Sequence, residues 1–448
     1  MSAPRGQFSS NVGFLMAAAG SAVGLGNIWG FPTKAASNGG AAFVVIYLLL
    51  AFVLAYPALM AELTIGRHAR RNMVQALREI STGPVSRFFA NLTGFGGILI
   101  ASLILSFYAI VAGWMVAHLA EPFATLIGAS STADWLTSSS TARNMTFTAI
   151  FSGLTMLIIA SGVEKGIERW STLLMPSLII LLLLLIMYVL TQPGAIIGLQ
   201  VYLMPDFSQV SPELLLSAMG QAFFSLSLGV GTMLIYGSYL SQQESLPRLG
   251  VLVTLIDVGI AFTAGLLILP AMYVAQEAGT QIFADDGSLI AGPGLILQVL
   301  PALFDSMGTI GLVVALAFFA LMTIASLTSS ISMLEVPVAF SIENLKLPRR
   351  SATLLVGLVI FAISSVIIFN FDALFGLVIS ISTEYGQPLL GVSLCIFAGW
   401  IWRRDQLLQE LRKGHENIEQ TPFWKIWPWY VRVVCPLLIL AAFVQTLL

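Results

Sequence analysis

Gly20-Ser21-Ala22-Val23-Gly24-Leu25-Gly26-Asn27 decides the fold of this chain. The stretch lies inside an apolar run long enough to cross a bilayer, yet glycine recurs at 20, 24 and 26, where it weakens a helix. A second such stretch, Ser225-Leu226-Ser227-Leu228-Gly229-Val230-Gly231, follows about 200 residues later. Unwound backbone at membrane depth leaves N–H and C=O groups without helical partners. That is tolerable only where they line a cavity or bind something. Two breaks at matching places in two halves of a chain mark the substrate site of a transporter.

Composition agrees. The 448 residues are 57% hydrophobic and 9% charged, too little charge for a water-exposed surface. Apolar runs recur throughout, which predicts an all-α polytopic membrane protein of about eleven spans. These fall near 11–36, 40–66, 88–122, 145–163, 170–191, 213–240, 248–275, 306–341, 351–370, 373–401 and 428–447. Cys395 and Cys435 lie in apolar segments, and His68, His118 and His415 are scattered, so neither a disulfide nor a metal cluster is indicated. No catalytic constellation stands out, which argues against an enzyme, and nothing points to nucleic acid. No leader peptide with a cleavage site is evident, and no soluble domain is expected.

Basic residues orient the spans. With the N-terminus inside, the cytoplasmic segments carry Arg5, then Arg67, Arg70, Arg71, Arg78 and Arg87, then Lys165, Arg169 and Arg248. Lys346, Arg349, Arg350 and the 402–427 segment complete that side, whereas the opposite side has Lys34 and Arg143. The asymmetry predicts a multi-pass cell-membrane protein with its N-terminus cytoplasmic and, from the odd span count, its C-terminus outside. The 402–427 loop is expected along the inner surface, and the Gly/Pro-rich loop around Gly279 and Gly292–Gly294 as an outer lid.

Spans 1–5 (about 11–191) and 6–10 (about 213–401) each open with a broken helix. An odd number of spans per half gives the halves opposite topology, a 5+5 inverted repeat, with the helix at about 428–447 added to it. The whole chain, 1–448, is then one transporter domain. At the breaks, a half-helix starting near Leu25–Gly26 offers N–H groups to a carboxylate, and one ending near Gly20–Ala22 offers carbonyls to Na⁺. Asn27, Ser225 and Asp257 add oxygen ligands. The competing account is that the glycines only let helices pack closely; two equivalent breaks flanked by Asn and Ser weigh against it.

The run from Gly20 through Asn27-Ile28-Trp29, followed by Phe31-Pro32, resembles the first span of the neurotransmitter:sodium symporters, in their bacterial amino-acid branch. Tyr108, the stretch Lys165-Gly166-Ile167-Glu168-Arg169, residues Gln221 through Gly231, and Leu327-Thr328-Ser329-Ser330-Ile331-Ser332 extend the resemblance over nearly the whole chain. It implies two sodium sites. One would use the Ala22 carbonyl, Asn27, Ser225 and Asp257; the other the carbonyls of Gly20, Val23 and Ala325 with the hydroxyls of Thr328 and Ser329. Hydroxyls on membrane helices also bond back to their own helix, which is the competing account for Thr328 and Ser329; their adjacency inside the family motif weighs for ligation. The implied substrate pocket comprises Ala22, Gly24, Gly26, Ile104, Tyr108, Phe224, Ser225, Ser227, Val230, Ser329 and Met333. Tyr108 would bond the substrate carboxylate and Phe224 would close over it, and Gly24, where amine carriers place an aspartate, favours substrates that bring their own acid.

The resemblance further implies a chloride neighbourhood at Tyr47, Gln221 and Ser225, with Ala261 in place of a hydroxyl. Asp257 supplies a fixed negative charge there, so no chloride requirement is expected. An inner gate would pair Arg5 with Glu343 near Phe8. At the outer gate Gly30 stands where relatives carry arginine, and no matching acid is evident near Leu374–Gly376, though Asp372 and Glu384 are close in sequence. Closure would then rest on Tyr108, Phe224 and loop packing. Glu62 is read either as an acceptor for unwound backbone or as a snorkelling charge. The expected function is sodium-coupled uptake of a neutral, hydrophobic amino acid by alternating access. The alternatives are the same mechanism for taurine, a β- or γ-amino acid or betaine, and a sensor that binds an amino acid without moving it. The resemblance also allows a homodimer.

Overall fold

The computed structural model describes residues 6–283, 290 and 294–445, and these are helical with short connections. The first expected span is two half-helices, α1 (Asn11–Ala22) and α2 (Gly26–Ser37), bent by 58°. Ser10 caps α1, its side chain accepting from Gly13 N. Then follow α3 (Ala41–Ala69), α4 (Met73–Glu79), α5 (Pro84–Leu126), α6 (Ser130–Thr137), α7 (Thr141–Ala160), α8 (Val163–Val189) and α9 (Ala195–Leu203). The second broken span is α10 (Pro212–Ser225) and α11 (Thr232–Gly237). It is followed by α12 (Leu246–Glu277), α13 (Leu295–Ser306), α14 (Thr309–Asn344), α15 (Arg349–Phe369), α16 (371–401), α17 (Arg404–Arg412) and α18 (Pro422–Val444).

Among the described residues, eight helices are long and apolar enough to cross a membrane, or nine if α1 and α2 count as one span. The other two expected spans are the α10/α11 pair, whose halves are short, and α16, which contains π turns and Glu384. Several connections expected as plain loops contain the short helices α4, α6, α9, α13 and α17. Their segments are too short or too polar to read as spans, and they fold because neighbouring helices bury one face of each.

Packing follows from side-chain size. Ala17, Ala18, Ala19, Gly20 and Ala22 make α1 slim and buried, and it lies against α8, α12 and α14. α5 and α14 run along each other over much of their length. On the outside, Leu92, Phe95 and Leu99 of α5 and Leu173, Ile180 and Leu184 of α8 are exposed at helical spacing. Such apolar stripes are the faces that lipid covers.

Candidate functional site

Each break has an identifiable cause. Val23 leaves α1 with extended backbone (φ −76°, ψ 99°). A side chain at Gly24 would place its Cβ 2.6 Å from Ser329 Oγ and 2.8 Å from Tyr108 OH, so α5 and α14 require glycine there. In the second break Ser227, Gly229 and Gly231 take positive φ of 52°, 78° and 83°. Its freed backbone is satisfied from afar. Gly229 N–H donates to Glu62 Oε1 at 2.7 Å, Gln387 Nε2 donates to the Leu228 carbonyl at 2.8 Å, and Thr232 Oγ1 donates to the Ser227 carbonyl at 3.2 Å. Glu62 is buried and acts as that acceptor, so the snorkelling alternative falls away. The role of Gln387 was missed, because nothing local in span 10 marks it.

The two breaks meet. Asn27 Nδ2 donates to Asp257 Oδ1 at 2.7 Å and to Ser225 Oγ at 2.9 Å across 230 and 198 residues of sequence. Ser225 Oγ donates to Asp257 Oδ2 at 2.8 Å, and Tyr47 OH donates to Ser225 Oγ at 3.1 Å. Gln221 Nε2 reaches the Gly26 carbonyl at 3.2 Å. Asn27, Tyr47, Gln221, Ser225 and Asp257 are all buried. Its partners are all neutral donors, so when ionised the carboxylate leaves a net negative oxygen cluster suited to a hard cation. Turning the Asn27 amide over would add its oxygen to that cluster.

A second cluster lies where α1 ends. Ser329 Oγ is 3.2 Å from the carbonyl oxygen of Gly20, 3.3 Å from that of Ser21 and 3.2 Å from that of Val23. A hydroxyl has one proton, so it can satisfy only one of these acceptors. The others converge at the negative end of a half-helix, an arrangement that also favours a cation. Ser329 therefore reaches across to α1. Thr328 Oγ1 instead lies 3.1 Å from each of the Ile324 and Ala325 carbonyls of its own helix, the competing arrangement to ligation, while its side chain packs on Gly20. Ala22 is buried beside these carbonyls.

Leu25 N–H, near the start of the second half-helix, points at Tyr108 OH at 3.2 Å. Ser227 Oγ donates to the Ser21 carbonyl at 2.9 Å, tying one break to the other. Phe224 lies over Gly26, where an added Cβ would meet its ring at 2.8 Å. Gly26, Tyr108 and Phe224 line a vestibule of about 480 Å³, together with Trp29, Gly30 and Phe107 among others. The remaining expected pocket residues lie outside that lining, Ile104, Val230 and Met333 among those buried and Ser227 half-buried.

Of the expected gates, Arg5 lies outside the described residues. Glu343 accepts from Asn72 N at 2.9 Å and Asn72 Nδ2 at 2.8 Å, and Phe8 packs edge-on against Phe14, Tyr236 and Tyr239. Two ion pairs nearby were missed. Arg349 is bidentate on buried Glu335 (2.6 and 3.0 Å), which also accepts from Tyr239 OH. Arg67 is fully buried rather than a surface charge: it donates to Glu410 Oε1 at 2.7 Å and to the carbonyls of Glu244 and Glu410. Burial would raise the Glu410 carboxyl, but His68, Arg67 and Lys413 outweigh it and hold it at about 2. The segment 402–427 is thus bolted to the end of α3 through α17.

The family model described as the sodium:neurotransmitter symporter family matches residues 5–152 and 139–448. An uncharacterised sodium-dependent transporter of Bacillus subtilis (strain 168) is 33% identical over 98% of this chain and 97% of its own length. A sodium- and chloride-dependent taurine transporter of Bos taurus is 28% identical over 66% of this chain and 54% of its own. The crystal structure of MhsT in complex with L-phenylalanine shares 34% identity, covers 99% of this chain and 100% of that one, and superposes with a TM-score of 0.83.

Proposed function

The chain belongs to the sodium:neurotransmitter symporter family, and from that premise we propose that it takes up a neutral, hydrophobic amino acid together with Na⁺ by alternating access. It is a sodium-dependent polytopic membrane transporter and not an enzyme. The observation that carries the amino-acid reading is the meeting of the two breaks: an N–H end at Leu25 beside Tyr108 OH, and a negative oxygen cluster at Asn27, Ser225 and Asp257. The first suits a carboxylate and the second suits the cation that accompanies it.

Two sodium ions are assigned, one at Ala22, Asn27, Ser225 and Asp257, the other at Gly20, Val23, Ala325, Thr328 and Ser329. In the second site Ser329 already touches the α1 carbonyls, and Thr328 would turn its hydroxyl away from its own helix to join. Asp257 supplies the fixed charge that makes chloride unnecessary. Residues about 11–191 and 213–401 act as inverted repeats in the cell membrane, with the N-terminus cytoplasmic and the C-terminus outside. Arg5 and Glu343 close the inner side. Two sodium ions carried with a zwitterion across 100 mV supply about 4.6 kcal/mol, roughly a thousandfold gradient before any sodium concentration term.

A second reading keeps the mechanism and changes the cargo to taurine, a β- or γ-amino acid or betaine. Gly30 favours it, because a side chain there would meet nothing within 4 Å and the space is left to the vestibule. Both are tested by uptake of a labelled mixture of these compounds into proteoliposomes, with and without an inward Na⁺ gradient. Accumulation only with Na⁺ identifies the cargo. Saturable Na⁺-dependent binding without accumulation would replace symport by sensing.

A further inference from the structure

Far from the two breaks, α16 ends beside the start of α18. Each helix carries a π turn there, Phe397–Ile401 in α16 and Tyr430–Val434 in α18, and the two turns touch. A Cβ at Gly399 would lie 2.6 Å from Arg432 Cα, so glycine permits the close approach. Trp400 Nε1 donates to the Arg432 carbonyl at 2.8 Å, and the Arg432 guanidinium lies over the same indole, 3.9 Å from the ring centroid. The indole is fixed by its own N–H and in turn fixes the guanidinium. Stacking uses the face of a guanidinium and leaves the N–H groups on its edge free.

Lys425, Trp429 and Arg432 follow at i, i+4 and i+7 on one exposed face of α18. The opposite face, Trp424, Trp427 and Val431, is buried, with Trp427 Nε1 bonded to the Pro57 carbonyl at 3.0 Å. Neither the Lys425 nor the Arg432 side chain has a hydrogen-bonding or ion-pair partner among the described residues. Of the four acids in the 402–427 segment, Asp405 pairs with Arg403, Glu419 with Arg412, and Glu410 with Arg67 and Lys413, which leaves Glu416. Beyond this charged end the exposed residues are apolar, Leu389 and Ile396 on α16 and Leu437 and Leu440 on α18. From this arrangement we propose that the junction of α16 and α18 is a binding site for an anionic phospholipid, its phosphate held by Arg432 and Lys425 and its acyl chains lying on the apolar stripes of both helices. A guanidinium edge takes phosphate oxygens through paired N–H bonds, and the ammonium adds a second charge that a net-negative headgroup rewards. The apolar stripes decide for a lipid over a soluble phosphate, which would leave them unused. The site is separate from the sodium and substrate clusters and does not depend on the cargo.

The test uses purified full-length protein, delipidated in detergent, with bound lipid counted by native mass spectrometry. Phosphatidylglycerol is titrated, with phosphatidylcholine of the same acyl chains and glycerol 3-phosphate as comparisons. The parent should hold phosphatidylglycerol about thirtyfold tighter than phosphatidylcholine, and glycerol 3-phosphate should not compete. Lys425→Gln and Arg432→Gln should each lower phosphatidylglycerol affinity about fivefold, and the double variant should bind the two lipids alike. Arg432→Lys keeps the charge without the stacked fork and should still lose about threefold. Arg248→Gln, which removes an exposed cation elsewhere, should change nothing. Equal affinity of the parent for the two lipids would overturn the proposal, as would an Arg248→Gln loss as large as that of Arg432→Gln, which means diffuse attraction. Competition by glycerol 3-phosphate would reassign the cations to a soluble anion. Melting in lipid-free detergent shows which variants are folded; if Arg432→Gln is not, Lys425→Gln and Arg432→Lys decide the outcome.

Discussion

Replacing Asp257 by asparagine removes one negative charge and almost no volume. Its two oxygens accept from Asn27 Nδ2 at 2.7 Å and Ser225 Oγ at 2.8 Å. Hydrogen bonds to a charged acceptor contribute about 1.5–3 kcal/mol against about 0.5–1.5 for neutral ones, so each bond weakens by about 1 kcal/mol. Asparagine can keep both contacts by turning its amide, and the fold should survive. The larger effect falls on sodium. An ion held by these same side chains lies about 4 Å from the carboxylate charge, which is worth about 4 kcal/mol at an effective dielectric constant of 20. Sodium affinity should fall by about a thousandfold when chloride is absent. Chloride entering the neighbourhood of Tyr47, Gln221 and Ser225 should return part of that loss. The assay is a Na⁺ titration of labelled amino-acid binding to purified Asp257→Asn protein, in chloride and in gluconate. Sodium and amino-acid affinities equal to the parent's in gluconate would refute both the assignment of Asp257 and the electrostatic argument.

Tyr108→Phe removes the hydroxyl that faces Leu25 N–H and should weaken carboxylate-bearing substrates about tenfold while leaving Na⁺ binding intact; competition binding checks this. Ser329→Ala should lower Na⁺ affinity about tenfold or more, because the α1 carbonyls lose their one polar neighbour on α14, and a steeper Na⁺ requirement for uptake is the readout. Thr328→Val should cost less than Ser329→Ala in the same titration if the Thr328 hydroxyl stays on its own helix, and as much if it turns to the ion. Glu410 sits at about 2 in the folded protein against an ordinary 4.5, so its charged form stabilises the fold above about pH 4.5 and that contribution is lost as pH falls toward 2. The contribution is at most about 3 kcal/mol at neutral pH. Glu410→Gln should melt lower than the parent at pH 7 in detergent, and the gap should narrow below pH 4.5.

Much of this protein is local information. Glycine at 24 and again at 229 and 231 lets two apolar runs break, because backbone freedom and the lack of Cβ belong to the residue itself. Apolar length sets the spans and basic clusters set their expected orientation, both being sums over neighbours in sequence. What the chain alone leaves open is which hydroxyl turns where. Thr328 and Ser329 are adjacent and chemically alike, yet one bonds its own helix and the other crosses to α1, since only position 329 faces the Val23 bend. Arg67 reads as one more cytoplasmic cation until Glu410, 343 residues on, folds back to bury it. Breaks, spans and charge bias were determined by the sequence, because each depends on short stretches. Pairings across hundreds of residues were decided by the tertiary structure, because only packing sets the few ångströms on which hydrogen bonds and ion pairs depend.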